Sequence, residues 1–371
     1  MRGDARKQLP MYFVINVEAE LPSNHPLRAI KRRANTILAS MNRDFEAAYS
    51  KIGRPSIAPE RLLKALLLQA LYSIRSEIQL MQAIQFNLLY RWFVDLSDDP
   101  VWTPETFSMN RERFERHDLV RKFFDRIVSE AVIEGYASTD HFTVDGTLIR
   151  SWASIKSLKP KEGPEPKRMD GDPGNPTVDF HGQKRSNATH QSATDPEARL
   201  MRKGKGKEAH LCHSGHVLME NRRGLCMDVR VDMADGYAER RSAARMIRHL
   251  KRRHSIYIET LGMDKGYDDG GFLAELGRSG IRAHLPVPPV RWRAPDPGTL
   301  ARDQAHQRMR TKGYQISQRI RKRVEEIFGW FKTVGGLARA RLVGRWKVAQ
   351  EMLMTGAAYN LLRLARLEAA G

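Results

Sequence analysis

The stretch over residues 141–154, His-Phe-Thr-Val-Asp-Gly-Thr-Leu-Ile-Arg-Ser-Trp-Ala-Ser, constrains this chain more than any other. Phe142, Val144 and Leu148 take alternate places in a short run of strand-forming residues, so the run predicts a core β-strand that presents Asp145 beside a glycine. The same Asp145-Gly146 pair is a two-residue hairpin signal, and the stretch by itself does not choose between strand and turn.

Before this stretch the pattern is helical. One helix is expected over residues 26–49. From Ile57, with Ser56 as the expected cap and Pro59 in the first turn, Leu62, Leu63, Leu66, Leu67 and Ala70 repeat at helix spacing. Ile78, Met81, Ile84, Leu88, Leu89, Trp92 and Phe93 continue the bundle, and Thr103 is expected to cap a helix carrying Phe107, Arg111 and Phe114. A last helix covers residues 119–135. The turn at 73–76 between two short helices fits a helix-turn-helix and equally a plain bundle.

After Ser154 the composition changes. Residues 155–208 are rich in Pro, Gly, Lys and Asp with almost no apolar periodicity, which predicts a loop or partly disordered basic insertion. Two strands, 210–220 and 224–232, then form a hairpin with Gly224 at a left-handed position. A helix (237–250), a strand (257–261), a helix (271–276) and a strand (283–287) follow, and an amphipathic helix over 317–334 and a closing helix over 348–367 end the chain. The order of three strands, helix, strand, helix, strand is that of an α/β domain, here placed at 137–371 behind an all-α domain at 1–136.

At 371 residues and 41% hydrophobic the chain has material for a real core. It has no apolar run of membrane-spanning length and opens on charged residues, so a cytoplasmic protein is expected. Cys212 and Cys226 cannot build a disulfide framework. The formal net charge of +20 points to a polyanionic partner, nucleic acid first. Residues 301–350 hold 13 Lys or Arg against 3 Asp or Glu, and that concentration suits a contact surface.

Three carboxylates stand out because each comes from a separate element of the α/β order. Asp145 leaves the first strand, Asp264 leaves the strand after the first helix of that order, and Glu325 lies on the late amphipathic helix. Singly each has a plain explanation: a turn, a helix cap, a solvated charge. Together they can hold Mg²⁺, a hard cation that prefers oxygen ligands, in the service of phosphoryl displacement. A rival set, His210, His213 and His216 beside Cys212, cannot converge on zinc without a bend, because a strand puts His213 on the face opposite the other two. These histidines are expected on the strand, facing DNA.

The residues also carry a resemblance. Val-Asp-Gly-Thr-Leu-Ile-Arg-Ser-Trp-Ala-Ser at 144–154, Met-Asp-Lys-Gly-Tyr-Asp at 263–268 and Arg-Val-Glu-Glu-Ile-Phe-Gly-Trp-Phe-Lys at 323–332 resemble the three acidic motifs of bacterial transposases of the InsH-like, insertion-sequence-five family. Gly-Arg-Pro-Ser at 53–56, Leu-Tyr-Ser-Ile-Arg-Ser-Glu at 71–77, Arg-Trp-Phe at 91–93 and Gly-His-Val-Leu-Met-Glu-Asn-Arg at 215–222 extend it over nearly the whole chain. The resemblance implies an RNase H-like domain with a mixed five-stranded sheet and an Asp145, Asp264, Glu325 triad. It implies Mg²⁺, which Mn²⁺ can replace, and cutting and joining of double-stranded DNA at terminal inverted repeats by a homodimer. Lys265, Arg321, Lys322, Arg323 and Lys332 are the expected DNA contacts. The family's last motif spaces Tyr, Arg, Glu and Lys along one helix; Arg321, Glu325 and Lys332 match, but Gln318 stands at the Tyr position. At about 100° per residue, Glu325 shares a flank with Arg321 and Lys332, while Glu326 falls with Lys322 and Arg323, so Glu325 is the expected ligand. A non-catalytic DNA-binding relative and a nuclease that cuts without joining are the alternatives.

Overall fold

The computed structural model describes residues 16–370 except 51, 54, 97–98, 162–184, 203, 205 and 290–296. Eight helices come first: α1 (Val17–Glu20), α2 (Pro26–Ala39), α3 (Asn42–Ala48), α4 (Pro59–Leu71), α5 (Glu77–Phe86), α6 (Leu88–Phe93), α7 (Glu105–Arg116) and α8 (Leu119–Ile133). The single helix expected over 26–49 is two, broken where Ser40 turns its hydroxyl onto the Ile37 carbonyl at 2.6 Å. Neither expected cap is used. A residue before proline is pushed to extended backbone, so Ala58, not Ser56, precedes α4, and Pro104 stands where Thr103 was expected. Ser76 does cap α5, accepting the Gln79 N–H.

The strand β1 (His141–Arg150) runs unbroken through Asp145 and Gly146, which pair in register with Val217 and His216. The hairpin alternative is thereby excluded. Next come β2 (Leu158–Pro160), β3 (His190–Ser192), β4 (Arg199–Arg202), β5 (Ala209–Glu220) and β6 (Leu225–Met233). They are followed by α9 (Ala238–His254), β7 (Thr260–Gly262), α10 (Gly270–Arg278) and β8 (Arg282–His284). Along the sheet the strands stand β6-β5-β1-β7-β8, with β5 antiparallel to its neighbours and β1, β7 and β8 parallel. This is the RNase H-like arrangement that the resemblance implied, enlarged to six strands because β4 pairs with the start of β5. Gly224 closes the β5–β6 turn at φ +70°, as its position predicts.

The segment 155–208 is more ordered than its composition suggested. Its centre, 162–184, lies outside the described residues, but β2 and β3 pair with each other and β4 joins the main sheet. Only a small apolar cluster, Ala153, Leu158, Ala198 and Leu211, holds it. Buried polar groups do the rest: Asp195 accepts from the Ser151 hydroxyl at 2.6 Å and pairs with His213 Nε2 at 2.9 Å. Hydropathy cannot register an anchor of that kind.

The end of the chain forms α11 (Pro297–Arg308), α12 (Lys312–Ile320), a 3₁₀ turn over Arg321–Arg323, α13 (Val324–Thr333) and α14 (Arg345–Ala370). The continuous helix expected over 317–334 is therefore interrupted. Beyond the turn Val324, Ile327, Phe328 and Phe331 form the expected buried stripe, but before it Ser317 is buried and Ile320 is not. The tighter 3₁₀ winding rotates one half against the other. α14 packs on β6, α8, α4 and α2, so helices and sheet share one apolar core. The sheet has two covered faces. A Cβ at Gly215 would meet Ile149 and Met352 of α14, whereas one at Gly146 would meet His216 and Glu239 of α9.

Candidate active site

Asp145 occupies the middle strand. One carboxylate oxygen accepts the Gly146 N–H at 2.8 Å, and the other pairs with Arg321 Nη1 at 3.3 Å. Burial raises its pKa to about 6, with Asp264 and Glu325 adding to the rise and the Gly146 N–H and Arg321 opposing it. Asp264 follows the end of β7, next to β1. Its carboxylate accepts the Gly266 N–H at 2.8 Å and caps the 3₁₀ turn Lys265–Tyr267, so the plain reading of Asp264 as a cap holds alongside its nearness to Asp145. Glu325 lies in the first turn of α13, exposed to solvent and close enough to act on Asp145. Glu326 acts instead on Tyr359 of α14.

The expected basic residues divide. Arg321 reaches the acids; Lys265 and Lys322 are exposed beside them in sequence. Arg323 donates to the Asn221 carbonyl at 3.1 Å, toward the opposite end of β1. Lys332 acts on Cys212 of β5 alongside Arg150. Gln318, at the family's Tyr position, donates to the His284 carbonyl at 2.8 Å and the Met263 carbonyl at 3.4 Å. It ties α12 to the ends of β7 and β8, a job a tyrosine hydroxyl, with one proton, could not do twice.

One expectation needs correcting. His213 and His216 do not face DNA: both are fully buried, and burial depresses the His216 pKa to about 4. Nor do the three histidines converge. Among the described residues the three possible ligands whose donor atoms all lie within 4.8 Å of one another are Asp125, His249 and His254, and Asp125 already has the guanidinium groups of Arg121 and Arg253 at 3.9 Å each. A cation would meet two like charges there.

Sequence reasoning missed Glu239. It lies in the first turn of α9, and its Oε2 is 2.7 Å from where a Cβ on Gly266 would stand, with Asp264 Oδ1 3.1 Å from the same point. Burial, Asp264 and Asp145 all push its carboxyl pKa up. The available signal was its place on the helix that leaves β6, a strand running parallel to β1. Beside these acids the Tyr267 hydroxyl and both ring nitrogens of His216 are buried with no hydrogen-bond partner.

Hard carboxylate oxygens, with those of Asp145 and Glu239 held above their ordinary pKa by burial and by neighbouring acids and the Arg321 guanidinium paired to Asp145, fit a divalent cation better than they fit each other. The fold and this donor set define an enzyme of phosphoryl transfer on nucleic acid. Residues 177–361 match the family described as Transposase DDE domain, and residues 15–113 match Transposase domain (DUF772). The chain belongs to the DDE transposases, a family that uses divalent metal and binds DNA. Asp264 and Glu325 fall inside the first match and Asp145 precedes it. No curated protein and no solved structure matches the chain.

Proposed function

We propose that this transposase cuts DNA at the terminal inverted repeats of an insertion sequence of the InsH-like kind and joins the freed 3′ ends to target DNA. Asp145, Asp264 and Glu325 would hold Mg²⁺, or Mn²⁺ in its place. The observation that carries the reading is the placement of Asp145 on β1, Asp264 just past the end of the neighbouring β7 and Glu325 in the first turn of α13, in a chain of net charge +20. When bound, the ions supply positive charge to the attacking and leaving oxygens of an in-line displacement. The chain's own residues set the geometry: the Gly146 N–H orients Asp145, the Gly266 N–H orients Asp264, and Gln318 fixes the strand ends from which the second acid emerges. Arg321 pairs with Asp145 and would be available to a phosphate oxygen were that carboxylate held by a cation. Lys265, Lys322, Arg323 and Lys332 would add phosphate contacts.

Joining two transposon ends requires two such sites, so a homodimer on DNA is part of the proposal, with residues 1–136 as the helical end-binding domain. All three acids are in place, which disfavours a non-catalytic relative. The test offers purified protein a pre-cut end with a free 3′ hydroxyl, a supercoiled target plasmid and Mg²⁺. Joined product is expected. Cutting of an uncut end without joining of the pre-cut one would reduce the activity to a nuclease.

A further inference from the structure

Glu239 presents a problem of charge. It is half-buried and, among the described residues, makes no ion pair. Its side chain passes Gly146, whose Cβ would stand 3.6 Å from Glu239 Cγ, and ends at Gly266, whose Cβ would stand 2.7 Å from Oε2. Both glycines follow a site carboxylate within two positions; the missing side chain at Gly266 leaves the room that the Glu239 carboxylate occupies, and Gly146 lies in ordinary contact with its stem. A glutamate in a first helical turn is ordinarily explained by the helix dipole. That accounts for its place on α9, not for its direction toward two other carboxylates.

A second observation marks the same spot. Tyr267, next after Gly266, is fully buried with its hydroxyl unpartnered, and Asp145, Asp264 and Glu239 all act on it. His216, also fully buried, has Nδ1 3.1 Å from the Cβ position of Gly146 and no partner for either ring nitrogen. Buried polar groups left without partners around a knot of carboxylates describe a site built for something that completes it.

We propose that Glu239 is a fourth carboxylate of the metal site, holding a divalent cation together with Asp145 and Asp264 from the α9 side while Glu325 closes the site from α13. The proposal rests on the metal-site reading above. On this account α9 positions a ligand and Gly266 leaves the space its carboxylate takes, while a Cβ at Gly146 would press on His216.

The experiment uses the full chain and Mn²⁺ alone as probe, with binding read by calorimetry and by the metal-induced rise in unfolding midpoint. Glu239→Gln is expected to weaken Mn²⁺ binding at least ~10-fold, with Glu239→Asp between it and wild type, and to raise the Mn²⁺ concentration needed for end cleavage in parallel. Asp264→Asn is the reference. If Asp264→Asn loses Mn²⁺ binding while Glu239→Gln keeps it, Glu239 is not a ligand and the three-acid reading stands. If Asp264→Asn binds Mn²⁺ like wild type, the metal-site reading itself fails and this proposal with it. The metal-free midpoint of Glu239→Gln should equal or exceed that of wild type, since a like charge has gone. A fall that Glu239→Asp does not recover would assign the residue a structural role and overturn the proposal.

Discussion

Asp145 is ionised only against resistance from burial and from Asp264 and Glu325, and this makes its protonation a measurable property. The metal-free folded chain holds the proton up to about pH 6, whereas the unfolded chain releases it near 3.8. Between those values the folded state binds more protons, so stability associated with this residue is complete at low pH and is lost as pH rises through 6. The loss by neutral pH is on the order of 2–3 kcal/mol, a figure that already includes the opposing pull of Arg321. In EDTA, Asp145→Asn should therefore be more stable than wild type at pH 7.5 and indistinguishable from it near pH 4, as urea unfolding can show. An equal difference at both pH values would contradict the shift. The neighbouring acids on α13 separate just as clearly: Glu325 acts on Asp145 and Glu326 on Tyr359. Glu326→Gln should cut DNA near the wild-type rate, while Glu325→Gln should bind ends and cut below about one hundredth of it; the reverse order would exchange their roles. The placement of Asp145, Asp264 and Glu325 on three separate elements was legible because each sits at a recognisable place in an α/β order. Glu239 was not, because a charged residue at a helix start carries no signal of which way it points.

Among elements, the strands and helices of the sheet were readable from period and turn chemistry, down to Gly224. The interruption of the late helix at Arg321–Arg323 was not, since three basic residues give no helix-breaking signal. Its effect is nevertheless local. Arg321, within the 3₁₀ turn, still pairs with Asp145, and Glu325, in the first turn of α13, still acts on it. The strands β2, β3 and β4 escaped notice because Ser151, Asp195 and His213, rather than an apolar stripe, anchor them. α14 shows how the edge of the sheet is finished. Asn360 donates to the Cys226 carbonyl at 2.7 Å and accepts its N–H at 2.9 Å, covering backbone groups of β6 that have no further strand to pair with. Asn360→Ala leaves both buried groups unsatisfied and should cost about 2–4 kcal/mol in urea unfolding. A change below about 0.5 kcal/mol would show that water or backbone shift replaces the amide.

For the whole molecule, composition announced the partner and topology announced the chemistry. The net charge of +20 contrasts with a candidate site whose own groups are acidic, so on the proposed function attraction of the DNA backbone and handling of the scissile phosphate would fall largely to different residues. The helical part and the sheet share one core through α14, and no helix among the described residues is long and apolar enough to cross a membrane. That separation of binding from cutting gives the most direct test of the central claim, that Asp145, Asp264 and Glu325 form the cutting site. The measurement is Mg²⁺-dependent nicking of a labelled transposon-end fragment by wild type and Asp264→Asn, at protein concentrations giving equal end binding in a gel shift. The account predicts a 3′ hydroxyl nick from wild type and none above background from Asp264→Asn. Comparable nicking by both would contradict it.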